Sequence, residues 1–191
     1  GSLSMTHDKN YEATQYAIQV AKDNGCLISF DPNLRLSLWK TPEEARRRIL
    51  YGMKQCDIMK ISEEEVAFVS EQESLEKGVS FIRDNSDIKI LFVTLGNKGS
   101  IAYYKDEKIY CGGIHQEHVV DTTGAGDTFC GAVLSRILEL GTDALTEKDI
   151  REMLLFANAA ASIVVTRKGA LCSMPEPEEI RAASSLIDKV L

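Results

Sequence analysis

Asp57-Ile58-Met59-Lys60-Ile61-Ser62-Glu63-Glu64-Glu65 is the stretch on which the fold turns. Its first five residues form a short, mostly apolar run of strand length. Ser62, with Glu65 three positions later, is a capping-box helix start. A strand that passes straight into a helix is one half of a parallel crossover unit. The same alternation extends in both directions. Upstream, Thr41 and Pro42 open a helix that runs to about Lys54. Cys26-Leu27-Ile28-Ser29-Phe30 reads as a buried strand broken by Asp31-Pro32-Asn33. Before it, a helix over about Asp8–Asp23 puts Ala13, Ala17, Val20 and Ala21 on one face and stops at Asn24-Gly25. Downstream, a helix covers about Ser74–Arg83, and Lys89–Thr94 is the clearest strand, ending at Leu95-Gly96. Ser100–Tyr104 and Lys108–Cys111 read as a hairpin around Lys105-Asp106-Glu107. Helices follow over about Ala125–Leu140, Glu147–Val165 and Glu178–Leu191.

Strands alternating with helices imply an α/β fold with a mostly parallel sheet covered on both faces. Ligands of such sheets sit beyond the carboxyl ends of the strands. Asp31, Ser62 and Gly96 fall just past three of those ends. The length of 191 residues and 44% hydrophobic content suit a single domain over 1–191. A net charge of −7 excludes nucleic acid as the main partner. It leaves room for a small phosphorylated ligand, which needs only local positive potential. There is no apolar run of membrane-spanning length and no signal-peptide pattern. Cys26, Cys56, Cys111, Cys130 and Cys172 are scattered, odd in number and never paired as CxxC. Reduced cysteines in a cytoplasmic protein are therefore expected.

Asp121-Thr122-Thr123-Gly124-Ala125-Gly126-Asp127-Thr128-Phe129 carries the chemistry. It joins a strand-like approach, His118-Val119-Val120, to a long apolar helix. Two glycines permit a tight backbone and close approach by a ligand. The helix start offers unpaired N–H groups and partial positive charge, an anion hole for a transferring phosphoryl group. Asp127, in the first turn, is placed to accept the proton of an attacking hydroxyl. Phosphoryl transfer demands positioning more than a strong base. The segment is not a GxxxxGK[ST] loop. Phe129 at the last position also spoils a GxGxxG reading.

This segment resembles the C-terminal signature of ribokinase-like (PfkB-type) carbohydrate kinases. The resemblance implies a three-layer α/β/α fold, Asp127 as catalytic base, and Gly124, Ala125 and Gly126 as the anion hole. Thr94-Leu95-Gly96-Asn97-Lys98-Gly99 is similar to the family's nucleotide-contacting turn, which implicates Thr94, Gly96 and Gly99. Read without the family, the same glycines suit a plain tight turn between strands. Phe156-Ala157-Asn158-Ala159-Ala160-Ala161 resembles the helix lining the adenine pocket, with Asn158 facing the base. Val165–Ala170 and the run to Ser173 complete a likeness that implies a monovalent cation, K⁺, held by Asp121, Thr123, Gly169 and Ser173. Ser62-Glu63-Glu64-Glu65 stands where relatives have Asn-x-x-Glu. Ser62 departs from that pattern, while Glu65 keeps the carboxylate for an indirect role at Mg²⁺ through water. A plain capping box explains the same letters. Asp31-Pro32-Asn33-Leu34-Arg35, with Trp39 after it, resembles a strand end of fructokinases. It implies Asp31 and Arg35 at phosphate or substrate oxygens, for which a guanidinium fork is suited.

The resemblance covers nearly all of this chain but not the whole family. The family's N-terminal sugar motif, early strands and lid have no counterpart here, so a truncated chain with little turnover of its own is expected. The implied activity is transfer of the γ-phosphoryl of MgATP to a sugar primary hydroxyl, most like fructokinase. Ribose, 2-keto-3-deoxygluconate, a nucleoside or a sugar phosphate are the alternative substrates. A non-catalytic, kinase-like interaction protein also remains open. A dinucleotide-dependent oxidoreductase is disfavoured by the missing glycine fingerprint. Expected partners are a small sugar and ATP, with a homodimer left open and no nucleic acid or membrane.

Overall fold

Residues 1–187 are described by a computed structural model. Its strands follow one another in the sheet as β1 (Ser29–Phe30), β2 (Ile58–Ser62), β3 (Ile90–Thr94), β4 (Gly99–Tyr104) and β5 (Glu107–Gly112). β1 and β2 pair in parallel, and β4 and β5 antiparallel. The architecture is three-layer α/β with a mixed, mostly parallel sheet, as the alternation implied. Residue contacts cluster into two compact units, one over Gly1–Val93 and one from Thr94 onward.

The first unit holds α1 (Asp8–Asp23), α2 (Pro42–Met53), α3 (Glu63–Ser70) and α4 (Leu75–Asp84). β2 and β3 read as near-continuous apolar runs because their residues are buried, Met59, Ile61, Leu91 and Phe92 among them. Val66, Val69, Val79 and Ile82 from the packed pair α3 and α4 are buried too. Burying each such side chain stabilises the fold by about 1.5–3 kcal/mol. α2 begins as its letters dictate, with the Thr41 hydroxyl accepting from the Glu44 N–H at 3.2 Å and Pro42 in the first turn.

Two expectations change here. The strand over Cys26–Phe30 shortens to Ser29–Phe30, because Leu27 is 47% exposed and the Ile28 carbonyl takes both the Asp57 and Ile58 N–H groups. α1 has the expected bounds, yet none of its residues is buried, and Ala13, Ala17 and Val20 are exposed. Polar ties replace the apolar face. Arg48, buried on α2, donates to the Met5 carbonyl, to Asp8 and to Glu44, each at 2.5 Å. Its guanidinium also lies 4.7 Å from the centre of the Tyr11 ring.

In the second unit α6 (Glu147–Val164) is the central helix, packed on α5 (Ala125–Leu140), on α7 (Pro177–Ile187) and on the β4–β5 hairpin. Ile150, Met153, Leu154, Ala157, Ala160 and Val164 lie at helical spacing and are buried. Phe129, Val133 and Ile137 of α5 are buried at the same period. α6 opens with a capping box of Thr146 and Asp149. His118–Val120 is not a strand. Val119 and Val120 are exposed, and the approach to α5 is held by Val120 and Asp121 N–H bonds to the Val165 carbonyl at 2.8 and 3.3 Å. Residues 188–191 of the expected last helix lie outside the described residues. No helix among the described residues is long and apolar enough to cross a membrane.

Candidate functional site

The glycine-bent junction of the second unit begins at Asp121. One carboxylate oxygen accepts from the Thr123 N–H at 2.9 Å and the other from the Gly169 N–H at 3.2 Å. Hydrogen bonds from Thr123, side chain first and then backbone, and then from Gly169 hold this carboxyl below its usual range. The second bond ties loop 121–124 to the turn after α6. There Ser173, almost fully buried, donates to the Gly169 and Ala170 carbonyls at 2.5 and 2.7 Å. Gly169 has φ +97°, and a Cβ there would meet Cys172 Sγ at 2.8 Å. The structure thus brings Asp121, Thr123, Gly169 and Ser173 into one pair of linked turns. Their donors are all oxygens, with one carboxylate charge, a set whose hardness fits a monovalent cation. No group of three or more His, Cys, Asp or Glu suited to a metal exists among the described residues.

Gly124 follows at φ +84°, a conformation that suits glycine, and serves as N-cap of α5 without any side-chain bond. α2, α3, α4 and α6 each close their first turn with a Ser or Thr hydroxyl. α5 does not. Its opening N–H groups lack intrahelical acceptors by geometry, and the Ala125 N–H reaches the Thr122 carbonyl at a long 3.3 Å. Asp127 sits in this first turn with an exposed side chain. Donors, helix dipole and an accessible carboxylate are therefore together, which is what proton removal beside an anion requires.

The turn after β3 is tighter than a plain hairpin loop. Gly96–Lys98 forms a 3-10 turn with Gly96 at φ +61°, closed by the Leu95 N–H on the Gly99 carbonyl at 2.8 Å. Gly99, at φ +106°, lies so close to β5 that a Cβ would stand 2.2 Å from the Cys111 carbonyl oxygen. Thr94 ends β3, half-buried. Asn158 is bonded within the protein. It is 7% exposed; its Oδ1 accepts from the Ser100 hydroxyl at 2.9 Å, and its amide donates to the Cys111 and Gly112 carbonyls at 3.2 Å each. The side chain clasps the hairpin and is largely shielded from water.

In the first unit, Asp31, Lys60 and Glu65 form a buried cluster. Lys60 Nζ lies 3.2 Å from Asp31 Oδ2, with the two side chains 8% and 14% exposed. Asp31 Oδ1 accepts from the Asn33 N–H at 3.1 Å. Burial pushes the Asp31 carboxyl above its ordinary range; Lys60 opposes this and Glu65 adds to it. Glu65 completes the capping box, accepting from the Ser62 N–H at 2.9 Å, and with its other oxygen takes the Leu34 N–H at 2.6 Å. Both oxygens are engaged, so direct coordination of Mg²⁺ fits poorly. Remaining lone pairs leave room for a water-mediated contact. Arg35 is exposed, bonded to the Leu34 carbonyl at 3.0 Å, and forms no ion pair among the described residues. Sequence reasoning missed Lys60. The signal was there: a lysine inside an apolar strand is almost never buried without a partner.

A family model described as pfkB family carbohydrate kinase matches residues 3–177. Fructokinase-1 of Oryza sativa subsp. japonica is 40% identical over 182 residues, covering 94% of this chain and 55% of that protein. A fructokinase from Vibrio cholerae O395, solved with fructose, ADP and potassium ion, superposes with a TM-score of 0.87 at 31% identity, over 95% of this chain and 57% of that one. Aminoimidazole riboside kinase from Salmonella enterica, solved with aminoimidazole riboside and an ATP analogue, gives 0.84 at 26% identity, over 96% and 61%. The chain thus spans about half the length of such relatives.

Proposed function

From the premise that this chain belongs to the pfkB family of carbohydrate kinases, we propose that residues 1–191 act as one α/β domain, the nucleotide-binding C-terminal part of an ATP-dependent sugar kinase of fructokinase type. The observation that carries this reading is the start of α5, where a helix with no side-chain cap carries an exposed carboxylate in its first turn. Asp127 accepts the proton of a sugar primary hydroxyl, whose oxygen then attacks the γ-phosphorus of ATP. The bond to the ADP oxygen breaks, and the products are sugar phosphate, ADP and a proton. N–H groups at Gly124, Ala125 and Gly126 receive the charge on the migrating phosphoryl oxygens.

Thr94, Gly96 and Gly99 shape the nucleotide's bed. Asn158 supports it from beneath by fixing β4 against β5 rather than by touching the base. Arg35 is assigned to phosphate or substrate oxygens, Asp31 to ordering its turn, and Glu65 to a water on Mg²⁺. Mg²⁺, bound with the triphosphate, would neutralise its charge. K⁺ would be held by Asp121, Thr123, Gly169 and Ser173, next to the anion hole. The setting is cytoplasmic, and the partners are small molecules. Fructose is favoured by the relatives' names and by the potassium- and fructose-bound neighbour.

Calorimetric titration with MgADP and fructose-dependent ADP formation test this together. Wild type should bind MgADP, and Asp127→Ala should bind within about twofold while losing about 10²–10⁴-fold in any sugar-dependent turnover. Gly124→Val, forced out of its left-handed backbone towards Ala170, should weaken MgADP about tenfold or more. Absence of MgADP binding to wild type, or turnover kept by Asp127→Ala, overturns the proposal.

A further inference from the structure

Resting on the assignment of Arg35 to phosphate or substrate oxygens, we propose that Lys60 is a positioning residue whose buried ammonium, seated on Asp31, fixes the 31–35 turn and thereby the direction in which Arg35 is presented. Lys60 lies mid-strand in β2, between Met59 and Ile61, both fully buried. An ammonium withdrawn from water there is costly, and a buried ion pair is weak evidence for stability in itself. A methionine would fill the same space. The pair is better understood by what hangs from it.

Asp31 uses one oxygen on Lys60 and the other on the Asn33 N–H. This closes a turn that carries Asn33 at φ +46°, a left-handed value that Asn tolerates better than most residues with a Cβ. The next N–H, that of Leu34, is taken by Glu65 from the first turn of α3. The Leu34 carbonyl then receives the Arg35 guanidinium. Two sets of polar contacts, Lys60–Asp31–Asn33 and Glu65–Leu34–Arg35, are joined by the Asn33–Leu34 peptide and lead from a lysine in the strand to an exposed arginine, across a segment with no secondary structure of its own. Lys60 also offsets the summed negative charge of Asp31 and Glu65, which would otherwise repel each other. Removing it frees Asp31 to turn away and releases the Asn33 N–H.

Amide hydrogen exchange and MgATP binding on the intact chain decide the matter. In Lys60→Met, exchange at Asn33 and Leu34 should accelerate about tenfold or more, while Ile90–Val93 in β3 change by less than about twofold. With MgATP as the probe, Lys60→Met and Arg35→Ala should each weaken binding, and the double substitution should be no weaker than Arg35→Ala alone, since one acts through the other. A merely structural lysine would give additive losses. Unchanged exchange at Asn33 and Leu34, or additive losses, overturns the proposal. If Lys60→Met fails to fold, Lys60→Met with Asp31→Asn removes both charges while keeping an acceptor for Asn33, and the same exchange pattern is required of it. Should wild type fail to bind MgATP, the nucleotide assignment falls, and the exchange result alone upholds or refutes the anchoring of the turn.

Discussion

Replacing Asn158 with alanine separates two uses of one side chain. The structure gives the amide three hydrogen bonds, to Ser100, Cys111 and Gly112, in a place 7% exposed. Each such bond contributes about 1 kcal/mol net, and a buried partner left unmet costs at least as much. The Ser100 hydroxyl is wholly buried and loses its Asn158 acceptor, and the cavity left by the side chain adds to the cost. The sum is about 3 kcal/mol. For a chain of this size that lowers Tm by about 6–12 °C. Asn158→Asp should cost as much near neutrality, because its second oxygen would face two carbonyls, and should regain stability in acid as that oxygen takes a proton. Urea melts and thermal scans of both variants, alongside MgADP titration, are the assay. A stability change under about 0.5 kcal/mol with a large loss of MgADP affinity would show that the amide serves the base and not the hairpin.

Two further perturbations probe the same unit. Gly99→Ala must fit a Cβ 2.2 Å from the Cys111 oxygen at φ +106°, so a loss of about 3 kcal/mol or more in urea unfolding is expected, and a loss under about 1 kcal/mol would contradict the close approach. Asp149 is held below the usual carboxylate range by the Thr146 hydroxyl first and the Thr146 N–H second. Its folded pKa being lowered, its contribution to stability is complete above the ordinary carboxylate range and disappears as pH falls through the lowered value. The Tm gap between wild type and Asp149→Ala should therefore be open at neutral pH and close in acid, and a gap that widens in acid would reverse the sign.

Elements whose local chemistry and burial agree were legible in the letters. α5 runs over Ala125–Leu140 as its glycine start and apolar period indicate, and α3 opens on the capping box of Ser62 and Glu65. Cys26 and Leu27 misled because apolar character sets strand propensity but not pairing, and the register with β2 runs over Ser29 and Phe30, short of Cys26 and Leu27. His118–Val120 misled for a related reason: two β-branched residues look like a strand, yet no strand of the described residues pairs with them, and the Val120 N–H bonds the Val165 carbonyl instead. At the site, the order of the polar residues was visible, but their bonding was not. Asn158, Asp31 and Glu65 each looked poised for a ligand; Asn158 and Glu65 proved to be bonded to backbone distant in sequence, and Asp31 to the Lys60 ammonium and the nearby Asn33 N–H. Sequence spacing names a polar side chain but is silent on which carbonyl or amide lies within its reach.

The uncapped opening of α5 has a thermodynamic consequence. A hydroxyl at that position would have steadied the helix by about 1 kcal/mol, yet Gly124, at φ +84°, offers none. Relative to a Ser or Thr cap, that is a small deficit in the stability of the helix start. Under the proposed assignment, an anion arriving there would supply further acceptors, so that occupancy and helix order would become a single equilibrium. Residues Gly124–Asp127 should be among the parts of the molecule that quieten most on loading, and the added order becomes part of the affinity.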